Sequence, residues 1–217
     1  MTKEKGQLNK ERKDSSALAA ARLARELASK KFLLFLEKAV DSGHCTKEQI
    51  LDILKVCHSA LHSNNGIIIT EKILDLHAKF LSYFDFDNAI NKAFFENLVL
   101  FFEIDSLLQS RKTVYDSANF ERKLMLLLES YVIKDNVSFT ASQFEVILEF
   151  LELSMQRSVS FPFIFMFIKI SEILKEAKID NPRVKALFQS ISNLILTHPE
   201  EHSDMDKIKH IVNAINL

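Results

Sequence analysis

After Gly6 this chain meets a helix breaker only five times, at Gly43, Gly66, Pro162, Pro182 and Pro199. All five fall between stretches in which apolar residues recur every three or four positions, the period of a helix. No stretch sustains the alternation of a half-buried strand. Gly66-Ile67-Ile68-Ile69-Thr70 is the one β-like piece, and it reads as a connection with Thr70 capping the helix after it. The expected fold class is therefore all-α, with about nine helices and short connections. Residues 1–14, polar and without a period, read as a disordered arm, and 15–217 as a single helical domain.

The most apolar stretch runs from Thr140 to Asp180. Thr140-Ala141-Ser142-Gln143 is a capping box: the Thr hydroxyl can accept from the third residue's N–H, and the Gln can reach back to the Thr N–H. Phe144, Ile147, Leu148, Leu151 and Met155 then form one stripe, and Val146, Phe150 and Leu153 a second. A helix with two stripes packs on two sides. The next helix starts at Phe161-Pro162, where proline is tolerated only in the first turn. Phe161 to Ile168 is apolar all round, but an eight-residue run falls far short of the roughly 20 that a membrane span needs. A buried core helix is expected.

Similar signals place the other elements. A helix over Ala17–Val40 ends at Gly43, and Thr46-Lys47-Glu48-Gln49 opens the next with a second capping box. Ile73, Leu74, His77, Phe80 and Leu81 mark a third helix, in which His77 is expected to be a hydrogen-bonded core or interface histidine. Asp85-Phe86-Asp87 breaks the chain before a Phe-rich helix over Asn88–Gln109. Ser117 opens a fifth helix, Asn181-Pro182 the eighth and Ser203 the last.

Thr46-Lys47-Glu48-Gln49-Ile50 through Ile53-Leu54 matches Thr140-Ala141-Ser142-Gln143-Phe144 through Ile147-Leu148, and each opens a helical hairpin. Hairpins at 46–84, 87–134, 140–179 and 181–217 are expected to stack as an α-solenoid-like array, with a non-repeating helical bundle as the alternative. Hairpins of this size with a Thr-x-x-Gln-apolar start resemble the degenerate helical repeats of organellar RNA-associated proteins, the octotricopeptide and FAST-kinase-like class. That resemblance implies a mitochondrial or chloroplast protein acting on RNA processing, RNA stability or ribosomes.

Charge is unevenly placed. Residues 1–31 carry nine Lys/Arg against four Asp/Glu, and the remainder 19 against 25. A basic arm on an acidic body assigns any contact with RNA or an acidic partner to Lys3, Lys5, Lys10, Arg12, Lys13, Arg22, Arg25, Lys30 and Lys31. Two cysteines, Cys45 and Cys57, imply no disulfide framework and fit an intracellular compartment, cytoplasmic or mitochondrial.

Three glycines leave no material for a phosphate-cradling loop, a dinucleotide fingerprint or a nucleophile elbow. His58 and His62, one turn apart near Cys57 and Cys45, are the best metal candidates, yet their spacing alone is weak and no metal site is assigned. Glu145, Glu149 and Glu152 share one helix and read as a solvated face rather than an acid–base pair. No catalytic residue and no cofactor is expected. The sequence points to a non-enzymatic helical-repeat scaffold or interaction subunit of a larger assembly with protein partners. An organellar RNA- or ribosome-associated protein using the basic arm is the alternative.

Overall fold

The computed structural model describes residues 30–63, 67–110, 117–134, 137–199 and 203–215. Among the described residues every regular element is a helix, so the protein is all-α. The chain divides into two compact units, Met1–Phe84 and Asp85–Leu217. No Gly-, Pro- or Ser-rich linker marks that boundary in the sequence.

The first unit holds α1 (30–41), α2 (Lys47–His62) and α3 (Ile67–Tyr83). Gly43 ends α1 in the left-handed region at φ 66°, where a residue without Cβ is favoured, and its N–H donates to Val40 O at 2.9 Å. The Thr46 capping box is formed: Gln49 N donates to Thr46 Oγ1, and Thr46 N to Gln49 Oε1 at 2.8 Å. Ile50, Ile53, Leu54, Cys57 and Leu61 are the buried face of α2, as their spacing requires. Lys79 of α3 reaches Glu37 at 2.7 Å and Asp41 at 2.8 Å on α1.

Ile67 to Thr70 is not a connection but the first turn of α3, and Thr70 is a buried residue within the helix rather than its cap. Ile69 and Thr70 stand one turn before Ile73 and Leu74 on the face that α3 buries. Burying that stripe outweighs the preference of β-branched residues for strands.

The second unit holds α4 (Asn88–Ser110), α5 (Ser117–Val132), α6 (Ala141–Arg157), α7 (Phe161–Ala177), α8 (Pro182–Thr197) and α9 (Ser203–Ala214). Asp87 caps α4, its Oδ1 accepting from Ala89 N and Ile90 N at 2.9 Å each. Thr140 and Gln143 close the second capping box, and Asn181 caps α8 through Arg183 N and Val184 N. Helix α4 packs on α5 and α6, α5 on α7, α6 on α7 and α8, and α8 on α9. The core between them is aromatic. Tyr131 stacks on Phe94 with ring centres 4.9 Å apart, and Phe102 on Phe150 at 4.1 Å. The buried Tyr131 hydroxyl donates to Asn91 Oδ1, and Asn91 Nδ2 donates to Ser138 O at 3.1 Å, so the segment leading into α6 is tied to α4.

Packing of α6 against α8 also corrects the reading of the glutamates. They do not form a solvated face: all three are half-buried and reach toward α8 and the residue that caps it. Asn181 donates to Glu145 at 2.8 Å, Arg183 to Glu149 at 2.9 Å, and the Ser190 hydroxyl to Glu152. Residues 145, 149 and 152 recur once per turn, so a single register between two helices satisfies all of them.

Candidate functional site

Helix α7 is apolar around its whole first half but packs only part of that circumference. Phe163, Ile164, Met166 and Phe167 are buried. Phe161 and Phe165, four residues apart on the same face, remain 39% and 60% exposed. The expected core helix is therefore buried on one side, and this face of it is left open. Facing it from α5 is Leu126, 54% exposed. Together with Met125, Pro162, Phe163 and Met166 these residues line an apolar groove of about 520 Å³ between α5 and α7. Isolated apolar residues are ordinary on a protein surface; a contiguous apolar groove with a charged rim is the pattern of a binding surface.

The rim carries Glu121, Arg122 and Glu129 from α5 and Lys169 from α7. Lys169 is held by Glu172 at 2.9 Å, and Arg122 donates to Asn119 at 3.2 Å. Glu121 connects the rim to the interior. Its carboxylate lies 3.4 Å from Arg157 Nη2, the same nitrogen that donates to Asp105 Oδ2 at 3.2 Å and to Ser154 Oγ at 2.9 Å. A guanidinium NH₂ has two hydrogens, so three acceptors cannot all be fully served at once. The Asp105 side chain is completely buried, and its Oδ1 has no hydrogen-bond partner. Gln109, one turn on, pulls in the same direction as Arg157 but makes no hydrogen bond of ordinary geometry to Oδ1.

The electrostatics follow from this shortage. Burial pushes the Asp105 carboxyl above its ordinary 3.8, against the pull of Arg157. Burial also raises Glu121 above 4.5, and the neighbouring Asp105 charge adds to the shift while Arg157 opposes it. Two carboxylates thus share one counter-charge in a place that disfavours ionisation.

The residues singled out from sequence fall elsewhere. Lys3, Lys5, Lys10, Arg12, Lys13, Arg22 and Arg25 lie outside the described residues. Lys30 and Lys31 open the described part of α1, half-buried and exposed respectively. The His58 and His62 rings meet edge-on with centres 4.7 Å apart, and no group of three or more metal-ligating side chains occurs among the described residues. Cys57 is buried and its thiol is pushed up to about 12, which leaves it an inert core group; the Cys45 thiol donates to Ala39 O at 3.3 Å. His77 is buried and donates from Nδ1 to Ile73 O at 2.7 Å, as a core histidine should.

Sequence reasoning did not find Asp105, Glu121 and Arg157. They come from three helices, 36 and 52 residues apart in the chain, and carry no motif. The one local sign was Asp105 itself, a charge placed on the stripe of Phe94, Leu98 and Phe101. Compared with protein-family models, with curated proteins and with solved structures, the chain matches none. Among the described residues, no helix is long and apolar enough to cross a membrane.

Proposed function

We propose that this protein is a non-enzymatic scaffold or interaction subunit of a larger assembly, docking a partner protein in the groove between α5 and α7. The observation that carries the reading is the paired exposure of Phe165 and Leu126 over a floor of buried apolar side chains. Packing of α4 on α6 and α6 on α8, with α5 on α7, is the neighbour pattern of stacked hairpins, and it supports a short repeat array within the second unit. Stacked hairpins expose long grooves between successive helices, and such grooves take segments of other chains.

The occupant we infer is an amphipathic helix of the partner, with apolar anchors spaced for one face and a Lys or Arg at the Glu121 end. Charge argues for that basic residue. Arg122 and Glu129 carry opposite charges, and Lys169 is paired with Glu172. Glu121 and Asp105 together face the single Arg157, leaving an excess negative charge at that end. Met125 and Met166 add adaptable lining.

Quantitative co-purification from native cells tests the reading. A stoichiometric protein partner is expected with the wild type and is lost from the Leu126→Glu, Phe165→Glu double variant, whose helicity and melting temperature stay unchanged. Equal recovery with both proteins, or a wild type that purifies alone as a monodisperse monomer, would overturn it.

The charge asymmetry of the sequence favours a second reading, an organellar protein that contacts RNA or the ribosome through residues 1–31. Its signature is RNA affinity that falls steeply with salt and disappears when that segment is deleted. RNA affinity that ignores salt, or survives the deletion, removes this alternative.

A further inference from the structure

We propose that Asp105, Glu121 and Arg157 form a proton-binding latch that joins α4, α5 and α6 and sets the charge at one end of the α5–α7 groove. The reading of the groove as a docking site supplies the functional consequence; the latch itself rests only on its own geometry.

That geometry is a count of donors and acceptors around one guanidinium. Arg157 Nη2 faces Asp105, Glu121 and Ser154 at 3.2, 3.4 and 2.9 Å. Asp105 is wholly enclosed and keeps one oxygen without a partner, so its ionised form is only half satisfied. A proton on either carboxyl leaves one carboxylate with one guanidinium, which is a neutral set. Loss of that proton leaves two carboxylates with one guanidinium, which is a set of charge −1. Interacting carboxyls of this kind titrate as a pair rather than as independent residues.

The other charged groups around Glu121 do not supply the missing positive charge. On α5 itself Arg122 turns its guanidinium to Asn119, and the charges that act on Glu121 are those of Asp105 and Arg157, while Glu129 has the wrong sign. From α7, Lys169 is held by Glu172. From α4 the facing group is Asp105, and from α6 it is Arg157. Burial raises both carboxyls above their ordinary 3.8 and 4.5, and the Asp105 charge adds to the shift of Glu121, which brings proton release closer to neutral pH. Glu121 is shared between latch and groove, so the proton decides whether the groove end is neutral or negative. A basic helix is held more strongly once the proton has left.

The test uses the whole chain and needs no partner. Carboxyl ¹³C shifts of Asp105 and Glu121 are followed against pH by NMR, together with the emission of a Phe161→Trp reporter in the groove. The latch requires both carboxyls to titrate above the exposed carboxylates of the same protein, and the reporter to change with the same midpoint. Asp105→Asn should lower the Glu121 midpoint, because the repelling charge is gone. Arg157→Gln should raise both midpoints; a purely structural role for either residue would move neither. Ordinary midpoints, an unmoved Glu121 in Asp105→Asn, or a reporter blind to the transition would overturn the proposal. Partner binding is absent from these readouts, so a groove that binds nothing would sink the docking reading and leave the latch standing.

Discussion

His77 in the first unit and Asp105 in the second are both completely buried ionisable side chains, and the two are handled in opposite ways. His77 in the first unit is neutral and satisfied: burial lowers its pKa to about 4, and its Nδ1–H donates to Ile73 O within the same helix. Asp105 in the second unit depends on an arginine two helices further along the chain and still leaves one oxygen unpaired. A buried group whose neutral form is content needs nothing from outside and is part of the core. A buried group whose charged form is half content responds to protons, to neighbouring charges and to whatever approaches. This difference, rather than burial itself, separates a core residue from a candidate site.

The largest expected effect is on the histidine side. An unfolded histidine takes up its proton near 6.5, whereas His77 does so only near 4. Between those values the unfolded state binds more protons, so stability rises with pH across the window and is complete above it. A shift of this size corresponds to roughly 3 kcal/mol lost as pH falls from 6.5 to 4. Denaturant unfolding at stepped pH should show that slope, and His77→Gln should flatten it. A slope that persists in the variant would place the acid sensitivity elsewhere and break the contrast.

Asp105 and Glu121 give the opposite sign. Their folded pKa values are raised, so their contribution is full below the ordinary values of 3.8 and 4.5 and is lost as pH rises through the folded values. Arg157→Ala strips the shared counter-charge from both. At neutral pH the expected cost is about 2 kcal/mol, below the usual figure for breaking a buried pair because the Arg157 side chain is 33% exposed. At acid pH, with both carboxyls protonated, most of that cost should vanish. Thermal melts at the two pH values decide: an equal cost at both would mean that Arg157 acts by packing its aliphatic stem alone.

The same contrast governs what could be read from the sequence. Caps were legible because they are written within four residues: Thr46 with Gln49, Thr140 with Gln143, Asn181 ahead of Pro182. Stripes such as Phe144, Ile147, Leu148 and Leu151 were legible because the helical period maps spacing onto a face. His77 belongs to such a stripe, and of the two roles that stripe allows, core or interface, the structure shows the core. The Asp105–Arg157 pair was not legible, since its partners are joined only by the packing of α4 on α6. The groove escaped for a related reason. A run that is apolar all round, as at Phe161 to Ile168, does not record which faces find a neighbour. Glu145, Glu149 and Glu152 were spaced legibly, but the α8 groups that receive them lie beyond any local window.

Capping offers a control that should not distinguish the units. The boxes at Thr46 and Thr140 have the same connectivity, and in both the threonine is exposed. Thr46→Ala and Thr140→Ala should each cost about 1 kcal/mol, measured as the shift in denaturant midpoint. Equal costs would show that local chemistry is the same in both units and that the contrast lies in their interiors. A clearly larger cost at Thr140 would instead mean that its cap supports the approach held by Asn91 and Ser138.

The smallest expected effect is at Lys178, which ends α7 at φ 50°, the only non-glycine residue in the left-handed region among those described. Gly43 does the same work at the end of α1 at φ 66° without a Cβ to crowd its own backbone. Lys178→Gly should relieve that crowding, offset in part by the greater freedom of glycine in the unfolded chain. The net gain should be about 0.5 kcal/mol, visible as a small rise in melting temperature. Gly43→Ala places a Cβ where nothing lies within 4 Å, so its cost isolates the backbone term free of collisions. Unequal magnitudes at the two positions would assign the remainder to the lysine side chain, whose charge sits favourably at the C-terminal end of a helix dipole.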